Sequence, residues 1–181
     1  MAIRKIIKIG DEKLRKVAKP VEKFDHRLRT LVKDLVDTMQ KAEGVGLAAP
    51  QVGILRRVVV VDIGDGLIEL INPVIMEAEG EQSGAEGCLS IPGRSGMVIR
   101  PQQVTVSAQN EHGEPFQITA DGYLARAFCH EIDHLQGVLY VDKMEHEIFE
   151  DDEDDEDDDA GEEAETAEGI EEAADKEEER P

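Results

Sequence analysis

The sequence predicts an α+β fold: antiparallel strands packed around a central helix, with a second helix near the N-terminus. Three observations point that way. Two stretches, residues 25–43 and 122–136, carry apolar residues at three- and four-residue steps. The chain between them breaks into short strand-like runs divided by glycine-containing turns. These strands do not alternate with helices, as the crossovers of a parallel sheet would require.

In chain order, residues 3–9 alternate loosely and suit a short strand or an extended arm. Residues 11–18 allow a helical turn, which Pro20 stops. The first helix places Leu28, Leu31, Val32, Leu35, Val36 and Met39 on one stripe, with Asp25 as its N-cap and Gly44 just past its end. His26 reads as a solvated first-turn residue. Residues 44–53 are rich in small side chains that permit close backbone approach, and Pro50 argues against a central strand there. Residues 57–63 contain a four-valine run suited to a buried strand. A turn at 64–66 leads to a second strand at 67–78. Residues 83–93 hold many glycines and read as poor strand material. Strand character resumes at 96–100 and 103–108, and a hairpin turn at 111–114, with His112 a polar turn residue, leads to a return strand at 115–119. Asp121 can cap the second helix and Gly137 can end it.

The chain has 181 residues and a formal net charge of −22. Residues 150–181 hold 20 Asp/Glu and 2 Lys/Arg, which leaves 22 acids against 18 bases in residues 1–149. The acidity therefore belongs to the tail, where repulsion and low hydrophobicity predict disorder. The domain expectation is a folded body at 1–149 and an acidic tail at 150–181. The body shows no basic patch that calls for nucleic acid. Its first residues are too broken by charge for a signal peptide, and no apolar run approaches the ~20 residues of a membrane span. Two cysteines, Cys88 and Cys129, argue against a disulfide scaffold and fit a reducing cytoplasm.

Residues 130–134 read HEIDH. Two histidines four apart on a helix sit one turn apart on one face, and both imidazoles can reach one metal ion. Glu131 is rotated by about 100° from His130. It can lean over the metal without binding it, as a general base acting on metal-bound water does. Leu124, Ala127, Phe128 and Leu135 form an apolar sector beside this trio, so the polar groups border the buried face and need partners. A tetrahedral site needs a third protein ligand. A third histidine in the register HxxxHxxGxxH is missing, because Tyr140 stands in the last position after Gly137. Glu145, Glu147 and Glu150 lie downstream. Cys88 lies upstream in a glycine-rich bend, and its thiolate would make a Cys-His-His site. Cys129 reads as a buried, inert thiol.

Three stretches, GVGLAAPQ at 44–51, EGCLS at 86–90 and HEIDH at 130–134, resemble the signature motifs of the peptide deformylase family in order and spacing. A looser likeness runs from residue 3 to residue 144. The resemblance implies that Cys88, His130 and His134 hold one divalent metal ion, natively Fe²⁺ and often Zn²⁺ or Ni²⁺ in purified protein. It implies Glu131 as proton shuttle, with the Gln51 amide and the Leu89 backbone N–H as oxyanion donors. It implies a methionine pocket from Val45, Tyr123, Ala127 and the aliphatic stem of Arg126, with Gly46 as a backbone partner of the substrate. Glu86 and Arg100 would form an ion pair that steadies the cysteine loop. The implied substrates are nascent chains beginning with N-formylmethionine, and the products are formate and a free N-terminus. Proximity to the ribosome follows from that substrate, but an acidic tail is unlike the basic helix with which some family members dock on ribosomal RNA. The rival readings are a metallopeptidase cutting ordinary peptide bonds and a binding protein whose acidic tail recruits basic partners.

Overall fold

The computed structural model describes residues 2–149, so the expected tail lies outside the described residues. In chain order the elements are helix α1 (His26–Lys41), strands β1 (Gly46–Ala48), β2 (Val58–Val61), β3 (Ile68–Glu79), β4 (Gln82–Cys88), β5 (Ile91–Arg100), β6 (Gln103–Gln109) and β7 (Pro115–Asp121), helix α2 (Gly122–His134) and strand β8 (Met144–Ile148). Five strands form an antiparallel sheet in the order β1-β2-β3-β6-β7, and three form a second in the order β4-β5-β8. The α+β expectation holds.

The larger sheet is covered on both faces. Phe128, Ile132 and Leu135 of α2 pack with Val59, Val61, Leu70, Val104 and Val106. Leu28, Leu31, Leu35 and Met39 of α1 pack with Val58, Val60 and Ile71 on the other side. Successive strand residues point to opposite faces. The four valines of β2 therefore alternate between the two helices, which is why that strand is apolar throughout.

Helix α1 starts as expected, with Asp25 accepting from the N–H groups of Arg27 and Leu28 at 3.0 and 3.2 Å. Its end differs from the expectation. Glu43, not Gly44, takes the left-handed position past the last turn, at φ 54°. The Glu43 N–H donates to Gln40 O at 3.1 Å and the Gly44 N–H to Met39 O at 3.0 Å, the paired bonds that close a helix C-terminus. Gly44 is small for another reason: a Cβ there would lie 2.6 Å from Leu89 Cδ1. Helix α2 ends at His134, two residues earlier than expected, and Gly137 follows at φ 73°. Asp121 sits at its N-cap without a side-chain cap bond and accepts from Gln103 instead.

Three strands were not expected, the first being β1, which lies inside the small-residue stretch at 44–53. The glycine-rich run at 83–93 is largely strand, because β4 pairs with β5 from Gln82↔Arg100 to Cys88↔Ile91 around a turn at Leu89 and Ser90. Ladder pairing overrides weak intrinsic propensity here. Met144–Ile148 adds to β5 as β8, although its sequence reads as the acidic approach to the tail. The N-terminal segment is an extended arm rather than a ladder strand. Its Ile7 N–H donates to Gln51 O and its Ile9 N–H to Ser90 O, both at 2.8 Å, so the arm ties together two loops nearly forty residues apart.

Candidate active site

The inner end of β4, the turn after it, the segment around β1 and the buried side of α2 converge on one cavity of about 420 Å³. Cys88 ends β4 at a register shift, which turns its side chain toward α2. His130 and His134 come from successive turns of α2, with ring centroids 5.1 Å apart. Cys88 Sγ lies 3.3 Å from His134 Nε2. The three ligand-type atoms of Cys88, His130 and His134 all lie within 4.8 Å of one another. Among the described candidates, Cys88 is thus the one the fold brings to the histidines, and Glu150 lies outside the described residues. Glu145 and Glu147 go into β8 instead.

The electrostatics suit a metal. His134 is fully buried, and burial together with the neighbouring His130 charge holds its pKa well below the ordinary value, so it is neutral. Its Nδ1 is buried without a partner among the described residues. Burial opposes charge on His130 too, but hydrogen bonds to Cys88 and Glu86 outweigh it and raise its pKa to about 10. A ligated imidazole must give up that proton, and Glu86 holds the other nitrogen, Nδ1, at 2.9 Å. One sulfur and two imidazole nitrogens form a donor set that divalent transition metals accept. The residues fit such an ion.

Glu131 is buried, which raises its pKa to about 7 against the pull of His130. Its Oε2 has no hydrogen-bond partner among the described residues. A Cβ on Gly46 would lie 2.4 Å from Glu131 Oε1. Gly46 therefore makes room for this carboxylate. Gly46→Ala is expected to displace Glu131 and lower kcat at least tenfold, with the metal content of the protein unchanged. Steady-state kinetics beside metal analysis check it, and an unaltered kcat would contradict the steric argument.

Gln51 Oε1 accepts from the Ala48 N–H at 2.8 Å, which leaves its Nε2 to face Cys88 Sγ at 3.5 Å and Ser90 Oγ at 3.3 Å. Leu89 lines the cavity directly after Cys88, and its carbonyl accepts from Lys8. Val45, Gly46, Tyr123, Arg126 and Ala127 all line the cavity, Val45 and Tyr123 at its exposed mouth.

Glu86 and Arg100 do pair, through two bonds of 2.8 and 2.9 Å. Glu86 also accepts from Arg126 at 2.9 Å. Burial pushes its pKa up, but the Arg100 and His130 hydrogen bonds win and hold it at about 2. The Arg126 guanidinium, expected only as a pocket wall, is spent on Glu86 and on the carbonyls of Gly84 and Val98. Sequence reasoning missed that role, together with Asp133, which accepts from Arg100 at 2.6 Å, and Ser90, buried beside Gln51. Asp133 carried a signal, since it stands three residues after His130 on the same helix face. Ser90 carried none.

Soft and imidazole donors beside a buried carboxylate and an oriented amide N–H suit water activation at an acyl centre, the equipment of a metal-dependent amide hydrolase. The polypeptide deformylase family model matches residues 3–149. The peptide deformylase of Acetivibrio thermocellus is 57% identical over 152 residues, covering 84% of this chain and 89% of that one. The crystal structure of a peptide deformylase from Legionella pneumophila aligns at TM-score 0.77 and 51% identity, over 79% of this chain and 86% of that chain. The peptide deformylase structure from Thermotoga maritima aligns at TM-score 0.78 and 43% identity, over 80% of this chain and 99% of that chain. The chain belongs to the polypeptide deformylase family. It is a metal-dependent enzyme that removes the formyl group from the N-terminal formylmethionine of nascent polypeptides. No helix among the described residues is long and apolar enough to cross a membrane.

Proposed function

We propose that Cys88, His130 and His134 hold the metal, that Glu131 moves the protons, and that Gln51 and the Leu89 N–H receive the developing oxyanion. The convergence of the three ligand-type atoms beside the buried Glu131 carries this reading. A divalent ion there supplies Lewis acidity and lowers the pKa of water enough to give a nucleophile near neutral pH. Glu131 takes a proton as water oxygen bonds to the formyl carbon, and gives it to the amine nitrogen as the C–N bond breaks. The products are formate and the free amine. Gln51 suits the oxyanion because a neutral amide donor keeps its proton at any working pH. Glu86 orients His130 through Nδ1, and Arg100 and Arg126 hold Glu86. The methionine side chain enters between Val45, Tyr123, Ala127 and the stem of Arg126, with Gly46 beside the substrate backbone. Fe²⁺ is the native ion, and Zn²⁺ or Ni²⁺ can replace it because the donor set accepts several metals. The enzyme works in the cytoplasm, close to the ribosome. Residues 1–149 form the catalytic unit, and the tail at 150–181 is a solubilising appendage with no part in turnover.

The test is formate release from a formyl-Met tripeptide by anaerobically prepared protein, beside an unformylated longer analogue, with metal analysis of the same sample. Cleavage of the analogue without formate release would overturn the reading. Cys88→Ser is expected to leave the protein folded and cut its bound metal to a small fraction of the wild-type amount. Unchanged metal content in that variant would mean that the third ligand lies elsewhere.

A further inference from the structure

Lys8 stands outside the cavity and yet bonds the turn that follows Cys88. The N-terminal arm presents three consecutive residues to three carbonyls of the two site loops. The Ile7 N–H donates to Gln51 O and the Ile9 N–H to Ser90 O, both at 2.8 Å, and between them Lys8 Nζ donates to Leu89 O at 2.5 Å. A lysine side chain is a flexible, strongly hydrated point charge, and holding it on one acceptor costs rotamer entropy. Here the stem leaves a backbone that is pinned on both sides. Lys8 is exposed, has no ion-pair partner among the described residues and is not part of the cavity wall.

The bond reaches further than its acceptor. Leu89 O and Ser90 N belong to one planar amide. The N–H of that amide donates to Cys88 Sγ at 3.4 Å. A cation on the carbonyl draws electrons through the amide and makes its N–H a stronger donor, because hydrogen bonds in a chain polarise one another. The relay thus runs from the Lys8 ammonium through one amide to the Cys88 sulfur. The same amide is held at both ends, which limits rotation of the Leu89 backbone and fixes the adjoining Leu89 N–H. Gln51 Nε2 also faces the sulfur, at 3.5 Å. Hydrogen bonds to a ligand sulfur, and the groups that orient ligands, tune a metal site.

We propose that Lys8 is a positioning residue for deformylation, acting through the Leu89–Ser90 amide on the Leu89 N–H and the Cys88 sulfur. This rests on Cys88 being a metal ligand and the Leu89 N–H an oxyanion donor. Loss of the cation should lower kcat by about three- to tenfold, a part of the roughly 100-fold or more that removal of an oxyanion donor costs. KM should stay as it is, because Lys8 lies outside the cavity that takes the substrate.

The test compares the full-length wild type with Lys8→Met, which keeps the unbranched stem, and Lys8→Arg, which keeps the charge. Each protein is loaded with Co²⁺, whose sulfur-to-metal charge-transfer band reports the electron donation of Cys88 without any turnover. In Lys8→Met the band is expected at longer wavelength, because a weaker hydrogen bond leaves the sulfur easier to ionise. Its kcat should fall while KM, metal content and Tm stay unchanged, as an exposed substitution allows. Lys8→Arg is expected to restore both the band and kcat. A wild-type band and kcat in Lys8→Met would overturn the proposal. So would a fall in kcat that comes with a lower Tm and an unmoved band, the behaviour of a residue that only anchors the arm. Absence of any sulfur-to-cobalt band in the wild type would mean that Cys88 is not a ligand and would remove the underlying assignment. A normal wild-type band that Lys8→Met leaves in place would remove only the role of Lys8.

Discussion

Glu131→Ala is expected to keep its metal and lose turnover by roughly 10³- to 10⁴-fold, the contribution of a well-placed general acid and base. In the proposed mechanism both proton transfers pass through this carboxylate, so its removal should slow attack on the formyl group and departure of the amine together. The neighbouring atoms give little chance of a substitute. Glu86 is the nearest other carboxylate on His130, but Arg100 and Arg126 hold it ionised, with a pKa of about 2. A group so weakly basic takes a proton poorly near neutral pH. Single-turnover measurement on metal-loaded protein checks the expectation. A loss below tenfold, with normal metal content, would show that another group moves the proton.

Glu86→Gln should have the largest effect on stability. The substitution preserves volume and leaves two buried guanidinium groups short of their anion. Arg100 keeps Asp133, at 2.6 Å, and Arg126 keeps its carbonyls, but neither replaces a buried carboxylate shared between them. Breaking a buried pair from one side costs about 3 kcal/mol or more, which corresponds to a fall in Tm of roughly 10 °C for a domain of this size. The same change replaces the anionic acceptor on His130 Nδ1 with a neutral amide, and loss of such a charged partner weakens metal affinity by about 10- to 100-fold. Thermal melts with and without metal, together with a competitive chelator titration, separate the two effects. A lower Tm with unaltered metal affinity would confine Glu86 to a structural role.

Both helices were legible in the sequence because their apolar residues repeat at helical spacing, and β2 was legible because it is apolar on both faces. The HEIDH stretch disclosed two ligand candidates and the carboxylate, since helical spacing alone sets their relation. What stayed hidden depends on partners distant in the chain. The strands β4 and β8 have glycine-rich or acidic sequences and exist because each pairs with β5. Residues around Cys88 showed a cysteine in a bend, but only the fold places its sulfur 3.3 Å from His134. Gln51 reads alone as a loop glutamine. It acquires a direction from the Ala48 N–H, which fixes one end of its amide. Arg126 was read from its position on α2 as pocket lining, because nothing nearby in sequence announces the carbonyls of β4 and β5 that receive its guanidinium.

The N-terminal arm has a consequence for how this enzyme comes into being. Ile7 and Ile9 bridge the Gln51 and Ser90 loops, yet the helix that bears His130, Glu131 and His134 follows some forty residues after Ser90. The arm leaves the ribosome first and waits for most of the body before its partners exist. Contacts this distant in sequence form late and slowly, and synthesis proceeds at about 5–20 residues per second. During that interval the proposed catalytic centre has no partial form: neither the arm with its two loops nor the helix alone assembles sulfur, imidazoles and carboxylate. An enzyme whose substrates are unfinished chains is thus inert for as long as it is one.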